Sequence, residues 1–501
     1  MPRDIRQPSR RSGRLTGREP EFGGLAHHKR ARHTITKPLP FEIWTQILQY
    51  IKIPHHPGDT DDVIGQYRSR SPFVAVSQSS QLLRACALPF IWKTLHLNLR
   101  GIDGPVTRLA NRLNKHCSLG PELATRVCLV MRYDETVDPD AIATISDRIA
   151  WDRLRKLTLV YRGRKVVSAP CAVGRQMLEN SCNITELHID GTPDAVDLTL
   201  PLSLETVRLS LISPTCPQVP RLVLATLGLP RLQHLVLCLL RFIEIDAFTN
   251  ALQTAGPQLR TLYIDRCQNL FGDHLVSALS MFCVNLTRLE IRQDETSRSS
   301  QDLVLPHLEY LRLQHTVPRL VLYQSLCSIQ MEHEGGPFDD RFFKTVSDCC
   351  PNLQTLILDP LKKPQNVTSE IMCTFLKNCP MLRILTLLYI NVCDQFLATC
   401  AEISTHLRLL HLCNFGFPLT GKDVKNVSAW KHLAKLIVSV SSGSFCPEFN
   451  SLIMALFGDK KVRFTDYPDT CINAGSSYEV YKLEPTYFHS THWDFVKLIF
   501  R

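Results

Sequence analysis

The chain has 501 residues, 44% hydrophobic and 21% charged, which is enough apolar content for a large folded body and enough length for three ordinary domains. Its net charge of +10 is uneven. Residues 1–37 hold ten Lys and Arg against three acids, so the other 464 residues carry only +3, and a globally basic nucleic-acid-binding body is excluded.

No 18-residue stretch is both uncharged and strongly apolar. The nearest, Leu222 to Phe242, is interrupted by Pro230, Arg231, Gln233, His234 and Arg241, so no membrane span is expected. The basic head, residues 1–37, has no apolar segment behind its charges, which argues against a secretory signal. Its Arg, Ser, Gly and Pro predict a disordered tail, and His27-His28-Lys29-Arg30-Ala31-Arg32 fits either a nuclear import signal or plain solvated charge.

Character changes at residue 38. Pro40 is placed to open a helix, where its missing N–H costs nothing. Ile43, Ile47, Leu48 and Ile51 then share one face, and Pro54 ends the run. Residues 52–72 are polar and turn-rich and read as a loop. A second helical stretch is expected from about Phe73 to Ala87, closed by Leu88-Pro89, with Phe90-Ile91-Trp92 leading into a strand.

From there one frame, Leu-x-x-Leu-x-Leu, recurs. Its clearest copies begin at Leu154, Ile184, Leu204, Leu232, Leu259, Leu286, Leu308, Leu353, Leu382, Leu407 and Leu433, with weaker ones at Trp92 and Ala124. The steps run from 20 to 32 residues, apart from one of 45 between Leu308 and Leu353. Such self-similarity is the signature of leucine-rich repeats, each a short strand plus a helix that buries its apolar face only by stacking. The fold class expected is α/β: a horseshoe solenoid with parallel strands on its concave face, after a small all-helical head. Helical spacers are predicted at Asp246–Thr254, Gly272–Phe282, Phe338–Cys349, Ser369–Cys379 and Asp394–Ile403, with Thr368 and Asp394 as plausible N-caps. In the long step, Leu320 and Leu322 read as a degenerate strand. After Val438 the train stops, and the aromatic-rich residues 440–501, with a helix over about 447–457, are read as a C-terminal cap. The domains expected are thus 1–37 basic tail, 38–97 helical head, 98–439 repeats and 440–501 cap.

The 19 cysteines contain no Cys-x-x-Cys pair, so zinc and thioredoxin chemistry are unsupported; most read as small apolar residues of a reduced interior. No phosphate-cradling glycine loop, zinc-protease or nucleophile-elbow motif is present, and no cofactor, metal or catalytic residue is predicted. Glu186, His188 and Asp190 alternate along one strand, which a polar strand face explains. Sequons at Asn183, Asn285, Asn366 and Asn426 read as chance matches, two of them lying inside the strand frame.

Leu39-Pro40-Phe41-Glu42-Ile43-Trp44-Thr45-Gln46-Ile47-Leu48 resembles the opening of an F-box. Val74-Ala75-Val76-Ser77 and Leu88-Pro89-Phe90-Ile91-Trp92-Lys93-Thr94-Leu95 resemble its second half in the form common in fungal F-box proteins. The resemblance covers residues 38–97; the loop 52–72 is longer than usual, and Ser79–Leu83 replaces the customary Val-Cys-x-x-aromatic segment. It implies docking on a Skp-family adaptor, and through it a cullin scaffold, by Leu39, Pro40, Ile43, Trp44, Ile47, Leu48, Val76 and Trp92. The implied role is non-catalytic target recognition in a ubiquitin ligase of the cytoplasm or nucleus, with no nucleic-acid or membrane partner. The alternative is a leucine-rich-repeat scaffold whose helical head only caps the array.

Strand side chains alternate, so positions between the leucines face away from the core. This places Thr261, Tyr263 and Asp265 beside Arg288, Glu290 and Arg292, then Tyr310, Arg312 and Gln314. Tyr and Arg carry binding energy at protein interfaces, so Tyr263, Asp265, Arg288, Glu290, Arg292, Tyr310 and Arg312 are the expected contacts for a protein target.

Overall fold

The computed structural model describes residues 41–49, 81–99, 107–111, 121–132, 139–162, 168–191, 198–210, 219–240, 243–268, 270–333, 338–360, 365–414, 432–441 and 462–467. Among the described residues, apart from a separate pairing of Gln365–Asn366 with Ile390–Asn391, fifteen strands form one sheet, each hydrogen-bonded in parallel to the next of its members along the chain. They are β1 (Thr94–Leu99), β2 (Arg126–Arg132), β3 (Lys156–Arg162), β4 (Glu186–Asp190), β5 (Thr206–Ser210), β6 (His234–Cys238), β7 (Thr261–Asp265), β8 (Arg288–Val304), β9 (Tyr310–Val321), β10 (Ser328–Glu332), β11 (Thr355–Asp359), β12 (Ile384–Leu388), β13 (Leu409–Asn414), β14 (Lys435–Ser441) and β15 (Val462–Tyr467). The chain is therefore α/β, and the expected alternation of strand and spacer is present. Parallel neighbours need a crossover, and the spacers supply it.

Register is set by the apolar frame. Leu157, Leu187, Val207, Leu235, Leu262, Leu289 and Leu311 pair in one row across β3 to β9, and all are essentially buried. A slip of one residue would turn this row to the opposite face, so the pattern tolerates one register only. The frame leucines merge with the helices into a single core, in which Phe248, Phe343, Phe375 and Phe396 are the bulky helix contributions. Phe343 and Phe375 meet edge to face at 5.5 Å, which ties two successive helices. The helices Ile245–Ala255, Asp273–Phe282, Asp340–Cys349, Ser369–Asn378 and Asp394–Ile403 agree with the predicted spacers to within two residues. Of the expected N-caps, Thr368 holds its position without a side-chain bond, and Asp394 is instead the first helical residue, after Cys393; the Asp340–Cys349 helix is capped by Asp339, which accepts from the Phe342 N–H at 3.0 Å.

A rail of backbone bonds links the repeats just before each strand. The carbonyl of Arg155 accepts from the N–H of Thr185 and of Glu186; Thr185 accepts from Glu205 and Thr206, Glu205 from Gln233 and His234, and so on. The rail passes through Cys327 without a break and reaches Ala434. A side-chain rail runs beside it. Asn183, Asn285 and Asn352 each donate Nδ2 to a carbonyl of the preceding repeat, at Asp152, Pro257 and Gln324. Ser203 and Ser325 take the equivalent place with their hydroxyls. The amide nitrogens of two sequons, Asn183 and Asn285, are thus already structural donors.

Three expectations are corrected. The 45-residue step hides a regular repeat: β10 with the frame Leu326, Ile329 and Met331, all buried. Leu320 belongs instead to the outer half of β9, where Asp302, Leu303 and Val304 of β8 pair with Arg319, Leu320 and Val321 after two register shifts. These spacers run as strand because they are too short for a helix, and Asp273 pins the arm by accepting from Ser299 Oγ at 2.6 Å and Ser300 N at 2.7 Å. Second, the ladder continues past Val438 into the supposed cap, since β15 pairs with β14. Third, the second front helix is Gln81–Trp92, not one that stops before Leu88-Pro89. Pro89 lies in its last turns, where only one intrahelical donor is lost. The predicted tail 1–37, the loop 52–72 and the 447–457 helix lie outside the described residues.

Among the described residues four strands are followed by a left-handed residue, Gly191, Leu239, Arg266 and Tyr389, and β9 carries one, His315, at the equivalent place within its length. At Gly191, with φ +88°, an added Cβ would stand 2.2 Å from the Tyr161 carbonyl oxygen. Gly191→Ala is expected to destabilise the chain by about 1–3 kcal/mol, read as a lower urea midpoint, whereas His315→Gly, at φ +57°, removes strain and leaves the midpoint unchanged or raised.

Candidate interaction surface

Alternation along the strands leaves one sheet face opposite the helix layer. In β4 the leucine-side residues are buried while Glu186, His188 and Asp190 are half-buried, all on the open face. Near the start of the ladder this face is polar: Lys156 pairs with Glu186 at 2.8 Å, and His188 stands in register between Thr158 and Arg208. From β11 to β14 apolar side chains join it: Ile357, Leu388 and Ile437 are buried there, alongside the buried polar residues Asp359, Thr386 and His411.

The middle, β7 to β10, carries the densest chemistry. Glu290 lies at its centre and is 3% exposed. Its Oε1 accepts from Arg292 Nε at 2.9 Å and Nη2 at 2.6 Å, and stands 3.5 Å from Arg312 Nη1. Its Oε2 is 3.9 Å from Arg288 Nη2. Arg312 also donates to Glu332 at 3.2 Å, so one guanidinium bridges two carboxylates across three strands. The rings complete the arrangement. Arg288 lies 3.9 Å above the Tyr310 ring, and Arg292 lies 5.5 Å from the Tyr263 ring. Asp265 pairs with Arg266 at 3.4 Å.

All seven residues predicted for target contact are therefore brought together, but unequally. Tyr263, Asp265, Arg292 and Arg312 are half-buried, whereas Arg288, Glu290 and Tyr310 are buried. Burial, with Glu290 adding to it, pushes the Tyr310 phenol up to about 12. Burial likewise raises the Tyr263 phenol. Both rings are thus neutral platforms under cations. Glu332 belongs to the network and was missed; the signal was the frame Leu326, Ile329, Met331, which places Gln330 and Glu332 at open-face positions.

The front residues divide. Leu39, Pro40 and Val76 lie outside the described residues. In α1 (Phe41–Gln49), Ile43 is exposed, Trp44 is half-buried, and Leu48 is buried against Cys86 and Ala87 of α2 (Gln81–Trp92). Ile47 lies in α1, and nothing is described of its side chain. Trp92 packs on the main core, while Leu82 of α2 is exposed. The helix-end cysteines Cys283, Cys350 and Cys379 are buried, and burial pushes each thiol up to about 12, so they are inert packing groups. Among the described residues no helix is long and apolar enough to cross a membrane.

The class so defined is a parallel strand–helix array with one Tyr- and Arg-rich strand face. No protein-family model matches the sequence, and no curated protein matches it.

Two consequences are measurable. Removing the charge of Glu290 leaves three guanidinium groups without their shared anion, so Glu290→Gln is expected to cost roughly 3 kcal/mol in urea unfolding, the low end for a broken buried pair because the arginines retain access to water. The second concerns His188. Burial first, then Arg208 and Lys156, lower its imidazole to about 3. A folded-state value below the unfolded one means stability is full above about pH 6.5 and is lost as pH falls toward 3. Between pH 7.5 and 5 the chain should lose up to about 2 kcal/mol more than its His188→Gln variant.

Proposed function

We propose that the chain is a target-recognition subunit of an SCF-type ubiquitin ligase. In this reading the array is a leucine-rich-repeat solenoid, curved as a horseshoe with its strands on the concave side, and the front helices belong to an F-box. The front binds a Skp-family adaptor and thereby a cullin scaffold; the strand face holds a protein target. The chain performs no bond chemistry. Its contribution is proximity, which raises the local concentration of target lysines around a reactive thioester.

The observation that carries the reading is the contrast within the front helix pair. Leu48, Cys86 and Ala87 form a separate small core while Ile43 and Leu82 stay exposed on the same two helices. An exposed apolar pair beside this small core fits a docking face. The second reading, a scaffold with a capping head, draws on a different fact: Trp92 is packed on the ladder core.

Co-purification separates the two. The intact chain expressed in native cells should recover a Skp-family adaptor, and Ile43→Asp with Leu82→Asp should reduce that recovery at least tenfold without changing the thermal midpoint. Recovery of no adaptor by the intact chain gives the scaffold reading. Proteins held by the strand face should be lost from a Tyr263→Ala, Arg292→Ala chain while the adaptor stays bound.

A further inference from the structure

The charges of the central patch are separated by depth. The carboxylates lie low: the side chains of Glu290, Glu332 and Asp265 are 3%, 9% and 14% exposed. Arg312, Arg292 and Arg266 are more exposed, at 18%, 26% and 42%, while Arg288, at 11%, lies level with Asp265. Among these seven residues three arginines thus stand above the acids, with the fourth, Arg288, at their level. An approaching group meets positive charge first.

The arginines are also fixed in advance. Arg292 is held by two bonds to Glu290 and lies near the Tyr263 ring; Arg288 is stacked on Tyr310; Arg312 is strung between Glu290 and Glu332. A guanidinium carries five N–H donors in a rigid plane and no acceptor. Three such planes against the four oxygens of Glu290 and Glu332 make the patch rich in donors and poor in acceptors. Pre-set guanidinium forks match planar oxyanions, with less rotamer freedom lost on binding than loose side chains would lose.

We infer that the middle of the strand face binds an oxyanion-bearing side chain of a protein partner, through Arg288, Arg292 and Arg312, in competition with the buried Glu290. The inference deepens the target-recognition reading and rests on it. The ligand group is a carboxylate of Asp or Glu, or the phosphate of a modified Ser or Thr. Glu290 acts as a built-in counter-anion: it keeps the arginines ordered when the site is empty and yields part of their bonding to the incoming group.

Fluorescence anisotropy of the full chain with three labelled peptides tests this: hexaglutamate, hexaglutamine, and hexaglutamine with one central phosphoserine. The basic head, +7 over residues 1–37, attracts the anionic peptides as well, so the differences between variants are what count. Arg292→Gln with Arg312→Gln should weaken at least one anionic peptide tenfold or more and leave hexaglutamine unchanged. Whichever anionic peptide shows the larger loss identifies carboxylate or phosphate as the ligand. Glu290→Gln should tighten the same peptide several-fold, while Glu402→Gln, an equal charge change at an exposed helix position, should not. If Glu290→Gln fails to fold, Glu332→Gln carries the same expected sign. Anionic peptides indifferent to the arginine variant, or loosened by Glu290→Gln or its substitute, overturn the inference. In that event, cellular partners still lost from the Tyr263→Ala, Arg292→Ala chain would leave the target-recognition reading standing; partners retained would remove both.

Discussion

A single backbone constraint governs the molecule: one carbonyl per repeat accepts two N–H bonds from the next repeat, immediately before each strand. This rail fixes rise and register together. Once Thr185 and Glu186 both donate to Arg155, strand β4 has no freedom to slide against β3, and the next frame leucine falls on the core side. Spacer length is then a secondary matter. Steps filled by a helix and steps filled by extended chain both deliver the strand to the same rung, which is why the β8–β9 arm fits into an otherwise helix-backed array. Leucine burial supplies the stabilisation, about 1.5–3 kcal/mol for each fully buried side chain, and the rail decides where that burial happens.

The rail has a consequence for the opposite face. Register-locked parallel strands set equivalent open-face positions one strand spacing apart, about 4.8 Å, in straight rows. Side chains on adjacent strands are then direct neighbours. The row Tyr263, Glu290, Arg312, Gln330 is one such line. Acid beside base along a row produces a cross-strand network with no loop involved in building it. The patch is therefore as rigid as the sheet, in contrast to sites carried on loops. The same geometry makes the network sensitive to a single residue, since Glu290 is the only acid of its row within reach of arginines on both its own strand and the next.

Much of this was legible in the chain. A periodic apolar frame reports register directly, and register places open-face residues in rows, so the seven patch residues could be named from spacing alone. What failed did so for definite reasons. Met331 and Ile329 fill leucine positions with a different shape, and a step of only 18 residues from Leu308 to Leu326 leaves no room for a helix, so the repeat at β10 gave neither of its usual signals. The depth order of the patch was also invisible, because alternation tells which face a side chain takes and not how far it is covered by its neighbours. Glu290 and Arg292 have the same parity, yet one is the floor of the network and the other its surface. At the front, helical periodicity found α1, but Pro89 was read as a stop where the chain continues helical for one more turn.

That extra turn bears on how the front helices can act. Among the described residues, the core shared by α1 and α2 contains Leu48, Cys86 and Ala87, with Trp44, Phe90 and Ile91 packed around them. Trp92 joins the pair to the ladder: it ends α2, packs on the ladder core, and is separated from β1 by Lys93 alone. The Lys93 carbonyl accepts from Thr125 and Arg126 and so forms the first rung of the rail. Helix, tryptophan and rung follow one another without an intervening loop. α2 is thereby held in a set direction relative to the strand face, and α1 follows through the shared cluster. Whatever docks on the exposed Ile43 and Leu82 is held by the same chain of contacts that fixes the arginine patch, so the distance between the two surfaces is set by the count of rungs between them.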